Sequence, residues 1–196
     1  MAADITTFAK QMVGAGVKPS LFEVNGSIGG AALENNGQAV PFLIKAASLP
    51  GTAIGTIEVP FRGRKIKLPG DRTFADWSIT IINDSKFSIR NAFETWINNI
   101  QGMQSNTSLP AFAASFTPFL NPLFQDWTVN QLNRQGTPIK AYKLIGCFPV
   151  DISAIDLSYD STDQIEEFQV TLAYSYFATD STTIDVTDGV KLTPLT

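Results

Sequence analysis

The chain has 196 residues, 44% hydrophobic and 16% charged, with 14 Lys/Arg against 18 Asp/Glu. That is enough apolar material for a core, with few charges left over for the surface. There is no His and a single Cys, Cys147, which excludes Ser-His and Cys-His nucleophile pairs, imidazole-ligated zinc, internal disulfides and multi-thiolate metal sites. Residues 1–100 hold ten basic and eight acidic residues and residues 101–196 hold four and ten, so the domain lacks the strongly basic balance of a nucleic-acid binder.

The opening MAADITTFAKQMVGAG carries Asp4 and no sustained apolar stretch, so it does not read as a secretory signal. The sequons at Asn25, Asn83 and Asn106 are then chance matches, and Cys147 reads as a small buried hydrophobe in a reducing compartment. Residues 1–40 are rich in Gly, Ala and Asn and read as a flexible segment, with one short strand at Ser20–Asn25. Val40–Ala47 is an apolar strand ending at the Leu49-Pro50-Gly51 turn. Ile54–Phe61 alternates Ile57, Val59 and Phe61 against Glu58, and Arg64–Leu68 alternates again after Gly63. Phe74–Asn83 puts Trp77, Ile79 and Ile81 on one face and Ser78 and Thr80 on the other.

The period then changes. Over residues 86–101, Ile89, Phe93, Trp96, Ile97 and Ile100 form one stripe of an amphipathic helix that packs on the core, with Asp84 or Ser85 as its cap and Gly102 as its end. Residues 102–125 form a loop holding Pro110, Pro118 and Pro122 among Phe112, Phe116, Phe119 and Phe124; it either folds back on the core or meets a neighbour. Strands follow at Trp127–Asn133 and Ile139–Phe148. A last strand runs over Phe168–Tyr176, with Phe168, Val170, Leu172, Tyr174 and Tyr176 on one face and Gln169, Thr171, Ala173 and Ser175 on the other. Residues 178–196 read as a C-terminal arm. The reading is one domain over 1–196, mainly β: a β-sandwich or small barrel of about eight strands with one helix.

Phosphate-loop, dinucleotide, nucleophile-elbow and HExxH motifs are all missing. Gly26–Gly30 precedes no helix pattern, so its amides cap nothing. The acids from Asp151 to Glu167 lack the spacing of a calcium loop and read as a solvated face. The basic group Arg62, Arg64, Lys65, Lys67 and Arg72 contains Asp71 and lacks interleaved stacking aromatics, which favours a protein contact over nucleic acid. No catalytic, metal or cofactor-binding residue is assigned. A β-sandwich enzyme is the second class considered, and a membrane barrel is disfavoured because a helix interrupts the strands.

One ordered succession is specific: ASLPG at 47–51, VPFRGRKIKLPGDRTFADWSITIIND at 59–84 and FSIRNAFETWIN at 87–98. It resembles the tail tube proteins of contractile-tailed phages (myoviruses), most closely over 45–100 and again over 138–178. The resemblance implies a virion structural protein without enzymatic activity or cofactor, assembled in the host cytoplasm. It implies homohexameric rings stacked into a tube inside a contractile sheath, meeting baseplate and tail terminator proteins and passing double-stranded DNA without specific binding. The alternative within this architecture is the inner tube of a phage-like contractile injection or type VI-like secretion particle that delivers protein effectors. On that reading, the basic hairpin group (Arg62, Arg64, Lys65, Lys67, Arg72) and the acids Asp151, Asp156, Asp160, Asp163, Glu166 and Glu167 are candidates for the ring-stacking interface. Gln169, Thr171, Ala173 and Ser175 are the candidates for the lumen face.

Overall fold

The computed structural model describes Ile5, residues 16–28, the pairs 31–32, 34–35 and 38–39, and residues 43–107 and 123–180. The N-terminal part supplies β1 (Phe22–Asn25), β2 (Ser27–Ile28), β3 (Ala31–Ala32), β4 (Glu34–Asn35) and β5 (Gln38–Ala39). Then come β6 (Ile44–Ala47), β7 (Thr52–Phe61), β8 (Arg64–Phe74), β9 (Trp77–Ile82) and a helix, α1 (Ser88–Ile100). The chain continues through β10 (Gln125–Leu132), β11 (Pro138–Ile152), β12 (Glu167–Ala173) and β13 (Tyr176–Asp180). The chain is mainly β with one helix among the described residues, as the sequence patterns predict.

Seven strands join in the order β1-β10-β11-β12-β9-β6, with β13 also on β11. The 15-residue β11 belongs to both halves of this sheet. Its first part pairs with β10 and β13; Phe148–Ile152 pairs with β12. Between the two parts, Ile145 and Gly146 stand opposite Asp126 alone, because Gln125 faces Cys147 and Trp127 faces Leu144. Gly146 adopts φ 68° there and donates its N–H to Asp126 Oδ1 at 3.1 Å. An extra residue in one strand bends and twists it, and a second register shift follows between Pro149 and Asp151. The bend brings the two halves face to face. Trp77 of β9 meets Trp127 of β10 with ring centroids 5.9 Å apart, and Phe93 of α1 stacks on Trp127 at 6.2 Å.

The helix stripe is mostly as expected. Ile89, Phe93 and Trp96 are buried and Ile100 packs against the core. Trp96 Nε1 also donates to Leu123 O at 2.7 Å, tying the helix to the entry of β10. Ile97 departs from the expectation: it is only half-buried and does not join the core, whereas Ala92 packs against it. The buried stripe of the helix is therefore narrower than the five residues expected, running through Ile89, Phe93 and Trp96. The helix starts at Ser88, with Phe87 in the left-handed region (φ 55°) before it. Asp84 serves the helix start from a distance, its Oδ2 accepting from Ser88 Oγ at 2.8 Å. Partial burial pushes the Asp84 carboxyl up, but hydrogen bonds from Ser88 and the nearby backbone outweigh it and hold the group below its ordinary 3.8. Such a group stabilises the fold above its unfolded value, and the contribution is lost as pH falls through the lower folded value. Asp84→Ala is therefore expected to lose about 1 kcal/mol at pH 7. Urea unfolding well below pH 3.8 should find variant and parent equal; an undiminished difference there contradicts a carboxylate origin.

Other differences have local causes. The strand expected over Phe168–Tyr176 is two strands, because the ribbon it forms with β11 turns its corner at Tyr174 and Ser175, where Ser175 N–H donates to Ile145 O. Within the segment 1–40, the short strand expected at Ser20–Asn25 is present as β1, fully zipped to β10, with Val24 buried. Residues 178–180 of the expected arm complete β13 on β11. Of the Phe-rich loop, Phe124 packs edge-on against Phe148 at 5.5 Å; Phe112, Phe116 and Phe119 lie outside the described residues.

Cys147 is fully buried, and burial together with nearby Asp126 pushes its thiol up to about 12. Because the thiolate is the reactive form, a disulfide reagent at pH 8 is expected to leave it untouched in the native protein and to label it in urea. Prompt labelling of the native protein contradicts this placement.

Candidate functional site

β7 and β8 form a two-stranded sheet that bonds to no other strand among the described residues. The sequence builds it locally. Arg62 (φ 44°) and Gly63 (φ 82°) are the two central residues of its tip, the positive-φ pair that matches the twist of a hairpin. Thr56 faces Pro69 and Ile54 faces Arg72, so Gly55 stands against two residues. A Cβ on Gly70 would lie 3.1 Å from Gly55 O, so the backbones approach too closely there for a side chain. The root is fixed from both sides: Trp77 Nε1 donates to Ser48 O at 2.6 Å, and Phe74 packs on Tyr174 and Phe177 at 5.9 and 5.7 Å.

The two faces of the hairpin differ. Ile57 opposes Leu68 and Val59 opposes Ile66 on one face, which Phe61 and Arg64 continue at the tip. Glu58 opposes Lys67 and Pro60 opposes Lys65 on the other, with Lys65 Nζ 2.6 Å from Glu58 Oε2. Every residue of β7 is exposed, and Ile54, Ile57, Val59, Phe61, Ile66 and Leu68 are 42–60% exposed. A row of half-bare Ile, Val, Leu and Phe on a ribbon about 30 Å long is too much apolar surface for a strand pair that folds for its own sake. The alternation is the one the sequence predicts; among the described residues no strand covers its apolar face.

All five basic candidates lie on this hairpin. Arg62 sits over the Phe61 ring at 5.5 Å, and Arg72 lies near the root, opposite Ile54. The six acidic candidates divide. Glu167 pairs with Lys45 at 2.5 Å, and Glu166 Oε2 accepts from Asn83 Nδ2 at 2.7 Å. Asp151 is exposed on β11, opposite Thr171. Asp156, Asp160 and Asp163 are exposed on the 153–166 loop between β11 and β12. That loop also carries Leu157, Tyr159 and Ile165, which are 84%, 106% and 70% exposed. A sequence reading that lists only the acids misses these three, although Ile155, Leu157 and Tyr159 alternate with Asp156, Ser158 and Asp160 in plain view.

Gln169 and Ser175 are exposed and Thr171 and Ala173 half-buried, while Phe168, Val170 and Leu172 fill the core. The polar face of β12 therefore points away from the helix. Register places Thr80 opposite Gln169 and Ser78 opposite Thr171. The outer face of this half is polar with one exposed acid, Asp151, opposite Thr171, and the Lys45–Glu167 pair at its end is self-compensated.

On the outer side of α1 a groove of about 600 Å³ is lined by Asn91, Glu94, Thr95 and Asn98. Glu94 is engaged by Arg90 at 2.8 Å, so the groove brings no second carboxylate to bear on a substrate. The hairpin and the 153–166 loop are the exposed surfaces that combine apolar and charged side chains.

Comparison with known proteins fits such surfaces. The model of the phage tail tube protein family matches residues 9–180. The tail tube protein gp19 of Enterobacteria phage T4 is 32% identical over 161 residues, covering 82% of this chain and 90% of that one. Two solved structures share the fold. A chain of the anti-feeding prophage baseplate superposes with a TM-score of 0.59 at 12% identity, covering 86% of this chain and 98% of its own. A chain of the sheath-tube complex of an extracellular contractile injection system gives 0.55 at 19%, covering 88% and 97%. With the family model spanning the sandwich, the hairpin and the helix alike, the chain belongs to the phage tail tube protein family.

Proposed function

We propose that this virion structural protein assembles as homohexameric rings that stack head to tail into a tube, through which double-stranded DNA passes from capsid to host. A contractile sheath surrounds the tube, and baseplate and tail terminator proteins bound its ends. The observation that carries this reading is the β7–β8 hairpin, whose exposed apolar face pairs with no other strand among the described residues and suits a contact with another chain. The T4 relative and the likeness to a chain from a sheath-tube complex support it. The role is a structural, non-enzymatic one, in line with the tail tube family to which the chain belongs.

The polar face bearing Ser78, Thr80, Gln169 and Thr171, with the exposed acid Asp151 opposite Thr171, lines the lumen. DNA adheres where Lys and Arg neutralise phosphates, and on this face Lys45 is already paired with Glu167. Electron microscopy of the purified protein tests the assembly: rings and tubes are expected. Particles that stay monomeric across salt and concentration overturn the reading.

A further inference from the structure

The hairpin and the 153–166 loop sit at opposite ends of the same strands. β7 and β8 leave the sheet at the Trp77 end of β9, where Ala47 of β6 faces Ile79. The loop enters β12 at Glu167, opposite Ile82 at the other end of β9. The six residues of β9 separate the two by about 20 Å.

Their chemistry is complementary. The hairpin combines bare Ile57, Val59 and Phe61 with basic Arg62 and Arg64 at its tip, and Lys67 on the opposite face. The loop combines bare Leu157, Tyr159 and Ile165 with acidic Asp156, Asp160 and Asp163. None of these six charged groups joins an ion pair within the described residues, where the pairs are Lys45–Glu167, Lys65–Glu58, Arg90–Glu94 and Lys143–Asp126.

We infer that the hairpin of one copy docks on the 153–166 loop of a second copy, apolar face on Leu157, Tyr159 and Ile165, with the basic tip against the three aspartates. This rests on the tube reading and supplies its receiving surface. Two unlike faces at opposite ends make a contact that repeats without closing on itself, which is what a stack of rings needs. Hairpin against hairpin would bring basic tips together, a charge clash that selects against the symmetric pairing. Asp151, Glu166 and Glu167 fall outside this contact, the first being on the sheet and the others engaged within the subunit.

Two variants and their mixture test the pairing. The loop variant carries Leu157→Ser, Tyr159→Ser and Ile165→Ser; the hairpin variant carries Ile57→Thr, Val59→Thr and Phe61→Thr. Both sets are exposed, and thermal unfolding by circular dichroism should show both folded. Each variant alone is expected to stop at the unstacked species, a loss of tubes of at least 100-fold by electron microscopy. Mixed one to one, they should form one joint and no more, because the loop variant keeps a hairpin and the hairpin variant keeps a loop. Sedimentation then reads a doubling of mass. If the loop variant makes tubes like the parent while the hairpin variant does not, the receiving surface lies elsewhere and the pairing is wrong, though the tube reading stands. If both variants make tubes like the parent, the pairing and the role of the hairpin fall together. A mixture that forms no joint also overturns the pairing.

Discussion

Gly26→Ala is expected to cost about 3 kcal/mol of stability, at the upper end of what overpacking does. A Cβ built on Gly26 would lie 2.3 Å from Trp127 Cδ2 and 2.7 Å from Cε2 and Cε3. The ring cannot retreat. Trp127 is fully buried, with Phe93 stacked on it and Trp77 against its edge. The backbone must give instead, and Gly26 directly follows β1, whose ladder to β10 includes Asn25 opposite Thr128. At ~2–4 °C per kcal/mol for a chain of this size, the melting temperature should fall by about 6–12 °C. Gly51→Ala is the control: nothing lies within 4 Å of its Cβ, and a shift within about 0.5 kcal/mol is expected. Calorimetry of the two variants decides the point, and a Gly26→Ala protein that melts with the control shows that the contact is not tight.

Threonine at Ile57, Val59 and Phe61 is expected to abolish stacking while leaving the subunit as stable as before. The three side chains are 54%, 42% and 60% exposed, so about half of each one's burial energy is still to be gained. At ~1.5–3 kcal/mol for a fully buried side chain, that half is about 1 kcal/mol each and about 3 kcal/mol per copy. A loss of this size weakens each contact by roughly 100-fold. In a ring of six copies the losses combine, and a joint worth about 18 kcal/mol less does not form. Threonine is β-branched, which suits a strand, and none of the three sites belongs to the buried core, so unfolding should move by under about 0.5 kcal/mol. Sedimentation velocity beside thermal melting checks both halves of the claim; tubes of parental length at equal concentration contradict it.

Much of this was legible in the residues. The helix is visible because Ile89, Phe93 and Trp96 repeat at helical spacing, and that spacing cannot serve a strand. The hairpin is visible in Ile57, Val59 and Phe61 alternating with Glu58. Its exposure is not: alternation records that one face is to be covered, without saying which molecule covers it. The division of β12 from β13 was hidden for a different reason. Phe168 to Tyr176 alternates without a break, and the interruption at Ser175 is imposed by the bulge at Gly146 on the partner strand. The fates of Glu166 and Glu167 depend on Asn83 and Lys45, distant in sequence and adjacent only after the sheet has formed.

The order in which the chain is made gives the hairpin a further consequence. Phe61 faces Arg64 across two residues, so β7 and β8 pair within ~1–10 μs of being available. The loop proposed to receive a hairpin ends about ninety residues later, roughly 5–18 s of synthesis at ~5–20 residues per second. β1 waits too, because Val24 needs Val129. The arm alone is a marginal strand pair, and its anchor, Phe74 on Tyr174 and Phe177, is made only after the landing loop. Arm and landing surface therefore mature together at the end of synthesis, and only a finished subunit can join a stack at either end.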